Sequence, residues 1–193
     1  MLLDVSVNTT QRLLDVIVKL LSSGNSLEFA EVLQLVLDLA DALSKGLVDG
    51  EHPLLLSDTL NSDKGIGVSV GKNDDMTISH GNVSVHVVGA PLNVSTTVIV
   101  WSGGTHILTN QTVVTVKTGD SGNVEWFVSS TQSGGRCVKW SESAQNWVEA
   151  CSTISVDGGY RCRCTGSGDY SIIFSNIDSF VDSGSVSGGV IAA

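Results

Sequence analysis

Four cysteines, all between residues 137 and 164, are the residues of this chain best placed to do chemistry. They stand at positions 137, 151, 162 and 164, with Trp140 and Trp147 between the first two. Thiolates in such a cluster either hold a structural metal ion or pair as disulfides. Zinc sites draw two thiolates from one tight C-x2-C or C-x4-C knuckle, and only Cys162-Arg163-Cys164 is close here. If that C-x-C lies on an extended strand with its sulfurs on opposite faces of the sheet, each sulfur needs its own partner on a neighbouring strand. That suits two bridges and suits one ion poorly, so a disulfide framework is expected and no metal. The four residues allow three pairings, of which Cys162 with Cys164 is the least favoured, because extended neighbours splay apart.

Other reactive residue types give less. His52, His80, His86 and His106 are scattered, without metal-binding or carboxylate-paired spacing. The strings Thr165-Gly-Ser-Gly-Asp169 and Ser102-Gly-Gly104 lack the strand-to-helix context of a phosphate loop, and Asp74-Asp75 reads as a pair of solvated turn acids. No cofactor is expected. Sequons of the form N-x-[ST] begin at Asn8, Asn82, Asn93 and Asn110, and four of them beside clustered cysteines point to an exported glycoprotein. Ten basic against twenty acidic residues give a net charge of -10, which argues against nucleic acid or anionic lipid as partner.

The elements that must position these residues change in character near residue 50. Leu13, Leu14, Ile17, Leu20 and Leu21 recur at helical spacing opposite Gln11, Arg12, Asp15 and Lys19, predicting a helix from about residue 10 to 23. Ser23-Gly24-Asn25 breaks it, and Asn25 with Glu28 can cap a second helix. That helix carries Phe29, Val32, Leu33, Val36, Leu37, Leu39, Ala40 and Leu43, and its end is expected at Lys45-Gly46 with glycine just past the last turn. Beyond residue 51, β-prone runs cover 65–70, 76–79, 83–88, 96–101, 105–108, 112–117, 124–128, 136–140 and 146–149. A segment ending near Val156 is expected to form a hairpin through Asp157-Gly158-Gly159 with a strand over 160–164, and a last strand covers 170–174. About ten short antiparallel strands suggest a β-sandwich, with Trp140 and Trp147 packed in its core beside the disulfides.

Cys137 and Trp140 as C-x2-W, Trp147 four residues before Cys151, the Cys162 and Cys164 pair, and a strand with Tyr170, Ile172 and Ile173 together resemble the GPS motif. That motif ends the GAIN domain, which precedes the first membrane helix of adhesion G-protein-coupled receptors and polycystin-1-like proteins. The resemblance implies an α+β fold: a short two-helix subdomain A-like segment over 1–50, then a disulfide-bonded antiparallel sandwich over 51–175 with the motif at 137–174. It also implies a tether over 176–193 and bridges Cys137–Cys162 and Cys151–Cys164. Many members cleave themselves at His-Leu-Thr or His-Leu-Ser two residues after the C-x-C. There the histidine is general base and the hydroxyl attacks the preceding carbonyl in an N-to-O acyl shift. In this register Gly166, Ser167 and Gly168 occupy those positions, so neither base nor nucleophile is in place. Ser167 is at most a displaced nucleophile, and losing base assistance costs about 10²–10⁴ in rate. Ala150-Cys151 also replaces the family's Gly-Cys step, and the helical segment is short.

The start, MLLDVSVNTT, lacks a basic region and a long apolar run and does not read as a signal peptide, so an exported chain is expected to be a segment of something longer. Val190-Ile-Ala-Ala193 is read as the first turn of a membrane helix, which needs about 20 apolar residues. The expected function is that of a non-catalytic, uncleaved extracellular module at the plasma or ciliary membrane. Its partners would be the membrane-embedded remainder of the same polypeptide and an extracellular protein or glycan. The alternatives are a secreted or surface β-sandwich adhesion module, and an autoproteolytic domain using Ser167.

Overall fold

The computed structural model describes residues 7–22, 29–57, 65–91, 94–102, 111–118 and 122–174. Helices α1 (Val7–Ser22) and α2 (Phe29–Ser44) precede twelve strands among these residues. The first six are β1 (Leu54–Ser57), β2 (Gly65–Gly71), β3 (Asp75–His80), β4 (Val83–Val88), β5 (Thr96–Ser102) and β6 (Val113–Lys117). The rest are β7 (Asn123–Ser129), β8 (Gly135–Ser141), β9 (Asn146–Val148), β10 (Ser152–Val156), β11 (Gly159–Thr165) and β12 (Gly168–Phe174). One sheet has seven strands in the order β1-β2-β5-β6-β12-β8-β9, the other five in the order β10-β11-β7-β4-β3. Every pairing is antiparallel. The fold is thus α+β, two helices followed by a disulfide-bonded β-sandwich.

Side-chain alternation explains the layering. In the five-stranded sheet β3 turns Met76, Ile78 and His80 inward and Asp75, Thr77 and Ser79 to solvent, as expected of a sheet with one wet face. By contrast, β2 and β5 are buried at every position, because their sheet is covered on both sides. Val98 and Val100 face the opposing sheet, while Ile99 and Trp101 face the helices. From α1 come Leu14, Ile17 and Val18, and from α2 Val32, Val36, Ala40 and Leu43, joining Ile66, Val68, Val70 and Trp101 in one apolar cluster. The helices therefore bury their seam against β1 and β2 as well as against each other.

Some details depart from the expected pattern. Leu13 is 43% exposed, because the stripe of α1 that meets the sheet is rotated toward Val18. α1 begins at Val7, where exposed residues carry no apolar period. Gly46 does not take the left-handed conformation past α2. Instead its N–H bonds the Leu43 carbonyl and the Leu47 N–H bonds that of Ser44, a right-handed turn that returns Leu47 to the core. β1 was not foreseen, since Leu54-Leu55-Leu56 does not alternate; on the edge of the sheet Leu56 is buried and Leu55 is 55% exposed. The hairpin at Asp157-Gly158 forms, with Val156 opposite Gly159. The strand over 105–108, the Asn25 and Glu28 cap, the side chains of Leu20, Leu21 and Phe29, the sequons at Asn93 and Asn110, His106, and the tether over 176–193 lie outside the described residues.

Close packing between β2 and β3 rests on small residues. A Cβ on Gly67 would lie 2.7 Å from Cγ and 2.8 Å from Cβ of His80, the stem of a ring that cannot swing away. Gly67→Ala is expected to lose about 1–3 kcal/mol by overpacking, read as a lower urea midpoint at unchanged slope. Gly46→Ala, whose methyl would meet the Leu43 carbonyl at 3.6 Å, serves as the control and should stay within about 0.5 kcal/mol.

Candidate functional site

The cysteine strand β11 buries Tyr160, Cys162 and Cys164 and exposes Arg161 and Arg163. Cys162 and Cys164 therefore share a face, as residues two apart on a strand must, and the expectation of opposite faces is wrong. One face serves two bridges because they leave it in different directions. Cys162 crosses to Cys137 on β8 of the facing sheet, with Cα atoms 5.7 Å apart. Cys164 reaches sideways to Cys151, the residue that continues the Ser152–Arg163 pairing of β10 and β11, with Cα atoms 4.6 Å apart. These are the two pairs that the resemblance implies. Closing a loop of about 15 residues limits the unfolded chain by roughly 3 kcal/mol.

Just past this frame the chain changes sheets. β11 belongs to the five-stranded sheet and β12 to the seven-stranded one, yet only Gly166 and Ser167 lie between them. So sharp a passage needs Gly166 at φ +73°, in the left-handed region that a side chain disfavours. The crossover is then held from several sides. The Gly166 N–H donates to the Gly122 carbonyl at 2.8 Å. Tyr170 is fully buried, and the single hydrogen of its hydroxyl is shared between the carbonyls of Gly166 at 2.6 Å and Thr165 at 3.0 Å. Lys139 Nζ reaches the Thr165 carbonyl at 3.4 Å and lies 5.4 Å from the Tyr170 ring centroid. Burial, with the nearby Asp169 charge, pushes the Tyr170 phenol up to about 12, so it remains a donor at neutral pH.

An acyl shift here would need Ser167 Oγ to attack the Gly166 carbonyl. The Tyr170 hydroxyl sits where a donor to the developing oxyanion belongs. The nucleophile is otherwise engaged: Ser167 Oγ donates to the Thr118 carbonyl at 2.8 Å and accepts from the Thr118 N–H at 3.0 Å. A peptide carbonyl accepts the hydrogen bond but cannot take the proton, so this partner is no general base. Gly166 and Gly168 bring no side chain to the task.

A polar chain that sequence reasoning missed lies directly alongside. Trp101 Nε1 donates to Thr115 Oγ1 at 2.9 Å, and Thr115 Oγ1 donates to Asp169 Oδ1 at 2.6 Å. Desolvation raises the Asp169 carboxyl above its ordinary value, and the Thr115 hydrogen bond only partly opposes this. One signal was available: an acid directly before the apolar run Tyr170 to Phe174.

The tryptophans differ from expectation. Trp140 and Trp147 face each other across β8 and β9 as an edge-to-face pair, centroids 5.4 Å apart, and both are half-buried. Cys137 and Trp140 are three apart on one strand, so they face opposite sides, and Trp147 packs on the helix-side cluster rather than beside the bridges. The fully buried tryptophans are Trp101 and Trp126.

Elsewhere, Asn8 and Asn82 are exposed, as is His52, while His80 is buried. His86 Nε2 lies 2.7 Å from Asp75 Oδ1 on the outer face of the sandwich. On the same face Arg163 and Arg161 share Glu125, whose carboxyl is held below its ordinary value chiefly by the Arg163 hydrogen bond. Among the described residues no three His, Cys, Asp or Glu side chains come together to hold a metal ion.

Asp169 gives a pH signature. Its folded-state value is raised, so the fold binds that proton more tightly than the unfolded chain does, and stability falls as pH rises from the ordinary value of 3.8 through the raised one. Asp169→Asn keeps an acceptor for Thr115 and removes the partly desolvated charge. Its thermal midpoint is expected to match that of the parent at the most acidic pH and to exceed it increasingly toward neutrality; a difference of constant size would contradict the assignment. No protein-family model and no curated protein sequence matches the chain.

Proposed function

We propose that the chain is a GAIN-like, uncleaved extracellular module that holds its last strand and the following tether within a sandwich and links an extracellular region to the membrane. The observation that carries this is the placement of β12. It pairs on both sides, with β6 over residues 168–171 and with β8 over 170–174, and is entered through a crossover framed by the two disulfides and capped by Tyr170. Such bridges persist in oxidising compartments, which supports an extracellular position. The Thr118 partners of Ser167 support an intact peptide bond at 166–167. Force or ligand then acts through one continuous polypeptide, with no fragment to release. No helix among the described residues is long and apolar enough to cross a membrane. The crossing is assigned to a later part of the same polypeptide, and an extracellular protein or glycan is the partner on the other side.

Two epitopes test this in cells making the full protein, one before residue 7 and one after residue 193. Both are expected on a single band in a reducing, denaturing gel, with the first labelled on intact cells. Separate bands would return Ser167 to the role of nucleophile. A chain recovered wholly from the medium would instead favour a secreted adhesion module.

A further inference from the structure

A cleft of about 390 Å³ opens at one end of the sandwich, between the tips of the two sheets. Its lining is mostly amides and hydroxyls, among them Gln111, Thr112 and Gln132, with Val128, Ile172 and the half-buried Phe174 as its apolar part. The apolar part is fixed: Phe174 packs edge-to-face on Tyr160 with centroids 5.8 Å apart, and the Tyr160 hydroxyl donates to the Gln132 carbonyl at 2.9 Å. One aromatic side chain, Phe174, set among amides and hydroxyls matches a sugar ring, which offers a face of C–H groups and a rim of hydroxyls. The volume lies within the range of small-ligand sites, about 300–1,000 Å³.

Asn82 is itself part of the wall of this cleft. It is exposed and heads the sequon Asn82-Val83-Ser84 in the Gly81-Asn82 turn that joins β3 to β4, His80 facing Val83. Its Nδ2 donates one hydrogen to the Ser129 carbonyl at 2.9 Å, while the Ser129 N–H donates to the Asn82 carbonyl at 2.9 Å. The side chain is thereby held against the end of β7 with one amide hydrogen engaged, and the second is the position that an N-linked sugar takes. We infer that the N-glycan on Asn82 is a built-in ligand whose first sugar residues occupy this cleft. Weak contacts suffice, because a short covalent link gives an effective concentration of about millimolar. Asn8, by contrast, is exposed on α1 and is not among the residues that line this cleft.

This rests on passage through the secretory route, where sequons are glycosylated. The test uses the chain secreted from a eukaryotic host, with glycopeptide mapping, non-reducing disulfide mapping and timed release by a peptide N-glycosidase. Asn82 is expected to be occupied, with its glycan released at least about tenfold more slowly from native than from unfolded protein. Asn82→Gln and Ser84→Ala, which both abolish the sequon, should each lower the thermal midpoint by about 2–4 °C. In unglycosylated, refolded protein Ser84→Ala loses only the exposed Ser79–Ser84 hydroxyl contact at 3.2 Å and should move the midpoint by clearly less than in the glycosylated chain, which separates loss of the sugar from loss of the side chain. A secreted, correctly bridged chain with Asn82 bare, or with its glycan released equally fast from the native state, overturns the inference and leaves the export reading standing. Retention inside the cell without bridges overturns both.

Discussion

The bond between Cys137 and Cys162 ties the two sheets together just before the chain leaves one for the other. Cys137 lies opposite Ile172 on β12, so sulfur, strand pairing and crossover close a short ring: from Cys162 through residues 165–168 to Ile172, and back through Cys137. A two-residue passage between facing sheets would be hard to hold by itself. Within the ring its ends are already placed, and little entropy remains for closing it. Tyr170 then needs only to cap the carbonyls of Thr165 and Gly166, which it does from the start of the strand that the crossover delivers.

A second constraint is the two-sided burial of the seven-stranded sheet. Strands covered on both faces cannot spend alternate positions on solvent-facing polar residues, and the sequence of β2 compromises with glycine and serine toward β3 and with Ile66, Val68 and Val70 toward the helices. Several polar groups that do enter this sheet are paired, Thr96 with Thr118 and Ser171 with the Thr112 carbonyl among them. Thr115 and Asp169 are direct partners in the β6–β12 register, and Trp101 completes their chain from β5. A slip of one residue would send Asp169 to the opposite face and strand all three groups. A half-buried carboxyl, raised by desolvation, thus marks the register of the final strand.

Much of this fold was legible in the sequence, because most strands of the five-stranded sheet alternate cleanly and both helices carry an apolar stripe. β1 was missed, since a triple leucine has no period to read. The position of the cysteines was legible and their orientation was misread: residues two apart on a strand share a face, so the separation of the bridges comes from direction, across the sandwich for Cys162 and along the sheet for Cys164. The three-residue spacing already turns Trp140 away from Cys137, but it could not show that this side is the one the helices cover. That depends on which face of the sheet the helices occupy, a fact written far from residue 140. Ser167 was identified from its place after the C-x-C, but its Thr118 partners come from 49 residues upstream and leave no trace in the motif.

The Cys151–Cys164 bridge has a consequence for encounters between molecules. β10 is the outermost strand of its sheet, its first four residues are exposed, and Ile154 among them offers little to the core. A strand so lightly packed would fray, uncovering the hydrogen-bonding edge of β11, which is ready to pair with the same edge of another copy. The bridge pins β10 at the end where it begins. Its short loop makes it a modest folding staple, and its position keeps the sparsely buried outer strand seated on β11.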